Sequence, residues 1–334
     1  MTGKRFILHM GLPKCASTSL QDTLPHARHI GYLGKTTAGA FADPLIAEFT
    51  RVVAVFGDVR MRNCAPHRAA LQKAFDECPH DTVWLSDEVL SSAGFAAYGQ
   101  SNSLPQILEN FKRIAPAEVE PVIIVRNQHS LLRSYFRQWV QWESADTFEE
   151  FIRLSFLRRD RFLFPVLNYV NLVRALQGIV PTVHVLCFEA LTKDSGYRKE
   201  RLAALGVGDI AERLGQTHSR PGMDDAEIAR RLRGRHPVHF ASQWNWLARS
   251  QFPDIYAYRP VTTPFGRSVM QALTAMEQRM QAPGAIEKRR AGIDENNLHA
   301  LPEPLQRMLD AHVSRINEEI GTLDPQVDWR AHGY

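Results

Sequence analysis

The sequence predicts an α/β fold, in which a central parallel β-sheet is flanked by helices and followed by a helical, loop-rich C-terminal extension. Short runs of apolar and β-branched residues recur along the chain with amphipathic stretches between them, as in parallel strands joined by crossover helices. Two of these runs are almost continuously apolar, which is typical of strands covered on both faces. The chain has 334 residues, 44% hydrophobic and 23% charged, which is an ordinary globular composition.

Five segments are the predicted strands. They are RFILHM (5–10), RVVAVF (51–56), TVWLS (82–86), PVIIVR (121–126) and TVHVLCF (182–188). The stretches between them carry apolar residues at helical spacing, which predicts helices over HRAALQKAFDEC (67–78), LPQILENFKRIA (104–115) and SLLRSYFRQWVQW (130–142). Further helices are predicted at 17–24, 226–236 and 304–323.

The character of the sequence changes beyond about residue 220. A basic helix at 226–236 is followed by an aromatic, proline-interrupted stretch at 245–268. We therefore divide the chain into a core at 1–235 and a helical elaboration at 236–334 that packs on it. Together they are expected to form a single domain, because the chain is long for one domain and short for two.

Charge and cysteine usage narrow the class of protein. A formal net charge of +4 is modest, so no nucleic-acid partner is expected. The four cysteines form no CxxC pair, which fits a reducing compartment better than a disulfide framework or a zinc site. No apolar run approaches the roughly 18 residues of a membrane span. We expect a cytoplasmic protein without stable membrane insertion, and its oligomeric state stays open.

The turn GLPKCASTSL (11–20) lies between the first predicted strand and a helix. Ligands of parallel sheets bind where strands end and the N–H groups of a helix start face an anion. Small residues let the main chain approach phosphate, three hydroxyls can donate hydrogen bonds, and Lys14 adds a full positive charge. The turn is therefore predicted to bind phosphate, and the alternative is an ordinary turn with a capping serine and a solvated lysine.

Neither GxxxxGK[ST] nor GxGxxG occurs in this turn. Its segment PKCASTSL (13–20) resembles instead the 5′-phosphosulfate loop of the sulfotransferases that use 3′-phosphoadenosine 5′-phosphosulfate (PAPS), PK-x-G-[ST]-[ST]-[ST]-L. Alanine stands at the position where that family often has glycine. The resemblance implies a P-loop-like fold and a set of donor-binding residues: Lys14, Cys15, Ala16, Ser17, Thr18 and Ser19.

PAPS also carries a 3′-phosphate, which requires a second anion site. Arg126 ends a predicted strand and Ser134 follows eight residues later, a spacing that resembles the family's 3′-phosphate motif. Arginine suits phosphate because its planar fork matches the oxygens, although it could equally pair with a carboxylate. The segment 217–232 resembles the one that closes over the nucleotide, which makes Ser219 and Arg220 further candidates. Glu189 is assigned a structural role.

The resemblance implies sulfuryl transfer to a hydroxyl, which is catalysed by positioning and charge stabilisation. Lys14 would stabilise the leaving oxygen, and no metal is expected because the transferred group carries a single negative charge. Glu88, just after TVWLS, is the predicted general base, with His26 and His29 as alternatives. Acids in the first turn of a helix also favour its dipole, which is the alternative role of Glu88.

The acceptor is expected to be a small molecule or glycan, and specifically a carbohydrate or glycolipid. Four aromatic residues could stack on sugar rings or pack in the core or a lid: Trp244, Trp246, Tyr256 and Tyr258. Two other functions stay open, a nucleotide or small-molecule kinase of related architecture and a non-catalytic nucleotide-binding module. The missing GK[ST] argues against the kinase.

Overall fold

The computed structural model describes residues 3–36, 40–88, 90, 102–141, 146–157, 164–217, 223–234 and 293–334. Within these residues five strands form one parallel sheet in the order β2-β3-β1-β4-β5. The strands are β1 (Arg5–His9), β2 (Gly31–Tyr32), β3 (Thr82–Ser86), β4 (Val119–Val125) and β5 (His184–Cys187). The predicted fold class, a P-loop-like central parallel sheet flanked by helices, is confirmed.

Strand β1 lies at the centre of the sheet. It pairs with β3 from Arg5 opposite Thr82 to His9 opposite Ser86, and its other edge pairs with β4. All five residues of β3 and the last four of β1 are buried, because helices cover both faces of the sheet. The carboxyl ends of β3, β1 and β4 therefore lie side by side, about 4.8 Å apart from strand to strand.

Helices connect and cover the strands. They are α1 (Ser17–Thr23), α2 (Pro44–Glu48), α3 (Ala54–Phe56), α4 (Ala65–Glu77), α5 (Leu104–Ile114), α6 (Gln128–Gln141), α7 (Phe148–Leu157), α8 (Phe164–Leu167), α9 (Tyr169–Gln177), α10 (Phe188–Lys193), α11 (Ser195–Ala204), α12 (Ala211–Gln216), α13 (Asp225–Gly234) and α14 (Glu303–Ile316). Short 3₁₀ turns lie at Leu24–His26, Gly208–Ile210, Glu295–Asn297 and Ile320–Thr322. None of the described helices combines the length and the apolar character that crossing a membrane requires.

The prediction of a strand at 51–56 was wrong, since this segment is helical. A π-helix at Phe49–Val53 joins α2 to α3. The helical run starts at Asp43, whose carboxylate accepts hydrogen bonds from the N–H groups of Leu45 and Ile46. A short apolar run cannot be assigned to strand or helix by periodicity alone, and here the cap upstream decides for helix.

The strand beside β3 at this edge of the sheet is instead β2, which has only two residues. Tyr32 of β2 pairs with Trp84, and the polypeptide then continues beside the end of β3, where the N–H groups of Leu33 and Lys35 donate to the carbonyls of Trp84 and Ser86. A Cβ atom at Gly34 would lie 2.6 Å from the main-chain N and O of Ser86. Glycine is therefore required at this position, because any side chain would collide with the main chain of β3.

The chain divides into two compact units. The first comprises residues 1–131, 158–220 and 309–334 and contains the sheet; its C-terminal segment is anchored where the Tyr334 hydroxyl donates to Glu189 Oε2 at 2.8 Å. The second comprises 132–157 and 221–308, and in it the ring of Phe136 packs edge-on against Phe148. The boundary predicted at residue 235 lies next to residues outside the described part of the chain and stays a prediction.

Candidate functional site

Three of the predicted functional groups follow three neighbouring strands. Lys14 lies in the turn after β1, Glu88 follows β3 by two residues, and Arg126 follows β4 immediately. Because all three strands are parallel, these groups lie at the same edge of the sheet. Residues more than 110 positions apart in sequence are thus brought to one face of the molecule.

The turn after β1 has an unusual main-chain conformation. Gly11, Lys14 and Ala16 all have left-handed φ angles, of 70°, 66° and 61° respectively. Left-handed residues in a turn gather successive N–H groups on its concave side, which is the geometry of anion-binding loops. The left-handed φ angle of Ala16 also explains why the family that this turn resembles often has glycine at this position, since glycine adopts this conformation without strain.

The side chains of the turn divide into those that hold it and those that face outwards. Cys15 is buried, burial raises the pKa of its thiol, and its main-chain N–H already donates to the Leu12 carbonyl at 3.3 Å. Ser17 is 3% exposed, and its hydroxyl donates to the carbonyl of Leu12 at 3.2 Å. The Ser19 hydroxyl donates to the Thr217 carbonyl at 3.5 Å, the upper limit of a hydrogen bond.

Thr18 and the start of α1 complete the turn. The Thr18 side chain is partly exposed and makes no hydrogen bond with any residue that the structure describes. The residue before α1 is Ala16, whose methyl side chain cannot cap the helix. The first N–H groups of a helix have no partner within the helix, so those at the start of α1 can donate to an anion.

Arg126 is held against this turn. Its Nη1 donates to the carbonyl oxygen of Lys14 at 2.7 Å, and its guanidinium lies 4.6 Å from the centre of the Phe188 ring. Nε donates to the hydroxyl of Ser130, also at 2.7 Å. The residues of the two predicted anion sites are therefore adjacent, because the Arg126 guanidinium contacts the main chain of Lys14.

Ser130 was not among the predicted residues. It lies one turn into α6, where the Asn127 side chain accepts a hydrogen bond from its N–H at 3.0 Å. Asparagine is a favoured helix-capping residue, and Asn127 stands directly after Arg126. Its bond to the N–H of Ser130 places Ser130 beside Arg126. Ser134 lies four residues further along α6, among the residues of the second unit, and its predicted role stays a prediction.

Glu189 has the structural contacts expected of it. Its Oε1 accepts a hydrogen bond from the main-chain N–H of Asn127 at 3.0 Å, and its Oε2 accepts from Tyr334. The carboxylate is 9% exposed and fixes the main chain directly after Arg126. Glu189 thus helps to fix the position of Arg126 through the main chain of Asn127.

The two acids after β3 have different surroundings. Asp87 is fully buried, and its Oδ2 accepts from Arg51 Nε at 3.0 Å. Glu88 is partly exposed, with 29% of its side chain accessible, and its Oε1 pairs with Lys35 Nζ at 2.9 Å. Of the two, Glu88 is the carboxylate that an acceptor from solution can reach.

The alternative bases lie elsewhere in the first unit. His26 and His29 are exposed, and His29 precedes β2 by two residues. The first residue of β2 pairs with Val83, near the start of β3. His29 is therefore at the amino-terminal edge of the sheet, opposite the edge that carries Glu88. Ser219 and Arg220, like the four aromatic residues between 244 and 258, lie outside the described residues.

Comparison with known proteins found a similar solved structure. The chain is similar to a sulfotransferase from Alicyclobacillus acidocaldarius, with 18% identity and a TM-score of 0.42 over 78% of this chain and 99% of that one. No protein-family model and no curated protein matches the sequence. The donor and the acceptor of this chain have to be inferred from its own residues.

Proposed function

We propose that this chain is a sulfotransferase that transfers the sulfuryl group of PAPS to a hydroxyl, with a carbohydrate or glycolipid as the acceptor. One observation carries the proposal, the hydrogen bond from Arg126 to the carbonyl of Lys14. It joins a phosphate-type turn at the end of β1 to an arginine at the end of β4. Two adjacent cationic sites suit a nucleotide with two separate phosphate-bearing ends.

Each end of the donor has its own set of residues in this proposal. The main chain from Lys14 to Ser19 and the Thr18 hydroxyl would bind the 5′ end, where the turn is concave and the helix start is uncapped. Arg126 and Ser130 would bind the 3′-phosphate, and the sequence motif adds Ser134. Ser219 and Arg220 remain candidates by resemblance for the nucleotide's outer face.

The reaction needs two groups of this chain. As the sulfur leaves the nucleotide, the bond to the bridging oxygen breaks, and Lys14 would stabilise the negative charge that develops there. A new bond forms between sulfur and the acceptor oxygen, whose proton Glu88 would accept. A sulfuryl group carries one negative charge, so positioning and Lys14 can supply the stabilisation without a divalent metal ion.

Binding of nucleotides tests the donor. We expect adenosine 3′,5′-bisphosphate to raise the unfolding temperature strongly, whereas AMP, which lacks the 3′-phosphate, raises it little. A larger shift with ATP and magnesium would contradict the proposal and favour a kinase. Binding of the bisphosphate alone is also what a non-catalytic module would show, so this measurement must be followed by an assay of transfer.

Transfer of labelled sulfate tests the reaction. The chain is incubated with ³⁵S-labelled PAPS and, in parallel, with monosaccharides, disaccharides, glycolipids and simple phenols. The proposal predicts label in a carbohydrate or glycolipid product. Label in phenols alone would refute the acceptor class, and bisphosphate binding without any transfer would favour the non-catalytic module.

A further inference from the structure

A buried chain of polar side chains leads from Glu88 back to the start of the phosphate-type turn. It consists of Gln21 on α1, Ser86 at the end of β3 and His9 at the end of β1. Gln21 is 3% exposed and the other two are fully buried. None of the three belongs to the donor-binding residues proposed above, so this buried polar chain needs another explanation.

The first link joins Gln21 to Glu88. With the Gln21 amide oriented to satisfy all of its neighbours, its nitrogen donates to Glu88 Oε2 at 3.2 Å. Its oxygen accepts from the main-chain N–H of Glu88, also at 3.2 Å. The Gln21 amide therefore hydrogen-bonds to both the carboxylate and the main chain of Glu88, while Lys35 forms an ion pair with the other carboxylate oxygen.

The second link fixes Gln21 itself. The same amide oxygen accepts a hydrogen bond from the Ser86 hydroxyl at 3.2 Å. Ser86 in turn lies 2.8 Å from His9 Nδ1, and the two residues are direct partners in the register of β1 and β3. Because the serine proton is given to Gln21, the serine oxygen must accept from His9, so the proton of the imidazole is on Nδ1.

The chain cannot carry protons away from Glu88, since an amide neither takes up nor releases a proton near neutral pH. Burial keeps His9 neutral and lowers its pKa to about 3. These residues can therefore act on Glu88 only by fixing its position. Consecutive hydrogen bonds in a buried chain reinforce one another and hold the last member in one orientation. At the far end of the chain, His9 Nε2 is buried and has no hydrogen-bond partner among the described residues.

We propose that His9, Ser86 and Gln21 are positioning residues that orient the Glu88 carboxylate toward the acceptor hydroxyl. This inference rests on the proposed function, because it assumes that Glu88 accepts the acceptor's proton. The first residue of this buried polar chain, His9, is also the last residue of β1 and lies five residues before Lys14. The end of β1 therefore leads both to the residues that would position Glu88 and to the phosphate-type turn.

Substitutions within the buried polar chain test the proposal, because they are expected to change kcat and to leave KM nearly unchanged. Gln21→Leu and Ser86→Ala are expected to lower kcat about tenfold to a hundredfold, because a misplaced base loses its alignment. The KM for labelled PAPS and the Kd for adenosine 3′,5′-bisphosphate are expected to stay within about twofold, because the Gln21 and Ser86 side chains make no hydrogen bond to residues 14–19 within the described part of the chain. Ser86→Thr, which keeps the hydroxyl, is expected to restore most of kcat.

A double variant gives the sharpest result. In the Glu88→Gln background, adding Gln21→Leu should lower kcat no further, because the base being positioned is already gone. Thr23→Val serves as the matched control, since Thr23 is a buried residue of the same helix. Among the described residues its hydroxyl bonds only to main-chain carbonyls. Its kcat should stay at the wild-type value.

The outcomes separate this inference from the proposed function. Additive losses in the double variant, or equal losses from Thr23→Val and Gln21→Leu, would overturn the positioning role. Failure of wild-type protein to bind adenosine 3′,5′-bisphosphate would overturn the proposed function instead. If Gln21→Leu fails to fold, Ser86→Ala decides, since it removes one oxygen atom, and unchanged kcat in this variant would refute the inference.

Discussion

Lys14 combines a structural and a proposed chemical role in different parts of one residue. Its carbonyl accepts from Arg126, whereas its ammonium group would stabilise the leaving oxygen. We predict that Lys14→Ala lowers the rate of sulfuryl transfer about 10²–10³-fold, the usual loss when one donor to a developing charge is removed. Single-turnover rates with labelled PAPS measure it.

The carbonyl contact does not depend on the Lys14 side chain, so the site should stay assembled in this variant. Lys199→Ala is the control, because Lys199 is an exposed lysine paired with Glu212 at 3.2 Å. It should transfer sulfate at the wild-type rate. A Lys14→Ala enzyme with near-wild-type turnover would contradict the role of the ammonium group.

Ala16 provides a test of the turn's conformation that needs no substrate. An alanine in the left-handed region is strained, so we predict that Ala16→Gly raises the free energy of unfolding by about 1 kcal/mol. Ala27 has an ordinary φ of −68°, and Ala27→Gly should lower the same quantity by about 0.5–1 kcal/mol. Urea titration measures both, and a loss of stability in Ala16→Gly would contradict the left-handed conformation.

At the scale of residues, the sequence predicted the groups whose signal is local. Lys14 and Arg126 could be singled out as candidates from their charge and their spacing next to strands. The contact between Ser130 and Arg126 could not be predicted, because it depends on where α6 begins. Gln21 carried no signal at all, since a glutamine on a helix becomes informative only when its neighbours across the sheet edge are known.

At the scale of elements, the sequence predicted the strands with long apolar runs. Strands β1, β3, β4 and β5 lie within two residues of their predicted bounds. The two-residue strand β2 is too short for any periodic signal. The segment 51–56 has the composition of a strand, yet the Asp43 cap and Pro44 start a helix upstream that continues through it.

The joint between α6 and the segment after α14 makes a prediction about stability. Gln128 Nε2 donates to Asn317 Oδ1 at 2.6 Å, and Asn317 Nδ2 donates back to Gln128 Oε1 at 3.1 Å. Gln128 is fully buried and Asn317 is 9% exposed. Asn317→Leu should therefore lower the free energy of unfolding by about 1–3 kcal/mol. The Gln128 amide would lose both bonds to Asn317 and keep only the long bond from Nε2 to the Leu167 carbonyl at 3.4 Å.

A double variant checks that this loss comes from the pair. Replacing Gln128 by leucine as well removes the orphaned amide, so the double variant should be more stable than the sum of the two single losses predicts. Urea titrations of the four proteins measure the coupling. Strict additivity would show that the reciprocal pair is not formed.

At the scale of the whole molecule, His9 links stability to pH. Burial lowers its pKa from 6.5 to about 3, so the unfolded chain binds the proton first as the pH falls. Its stabilising effect is complete above pH 6.5 and is lost progressively below it, by up to about 1.4 kcal/mol per pH unit. His299 acts in the same direction, since burial lowers its pKa to about 4.

His9→Asn isolates the contribution of His9. Asparagine keeps a donor near the position of Nδ1 but cannot take up a proton in this range. As the pH falls from 6.5 to 5, the free energy of unfolding should decrease less steeply in His9→Asn than in the wild type. The difference in slope corresponds to about one proton fewer bound on unfolding. Urea titrations across this range measure the slope, and an identical slope in both proteins would show that His9 is not neutral in the folded state.

The strand order itself assembles the site. Because β1 lies between β3 and β4, the turn, Glu88 and Arg126 lie at the same edge of the sheet. A crystal structure with adenosine 3′,5′-bisphosphate is the most direct test of this convergence. We predict the 5′-phosphate on the main chain of residues 14–19 and the 3′-phosphate on the Arg126 guanidinium. A bisphosphate bound elsewhere, or with only one phosphate at these residues, would contradict the single two-ended donor site.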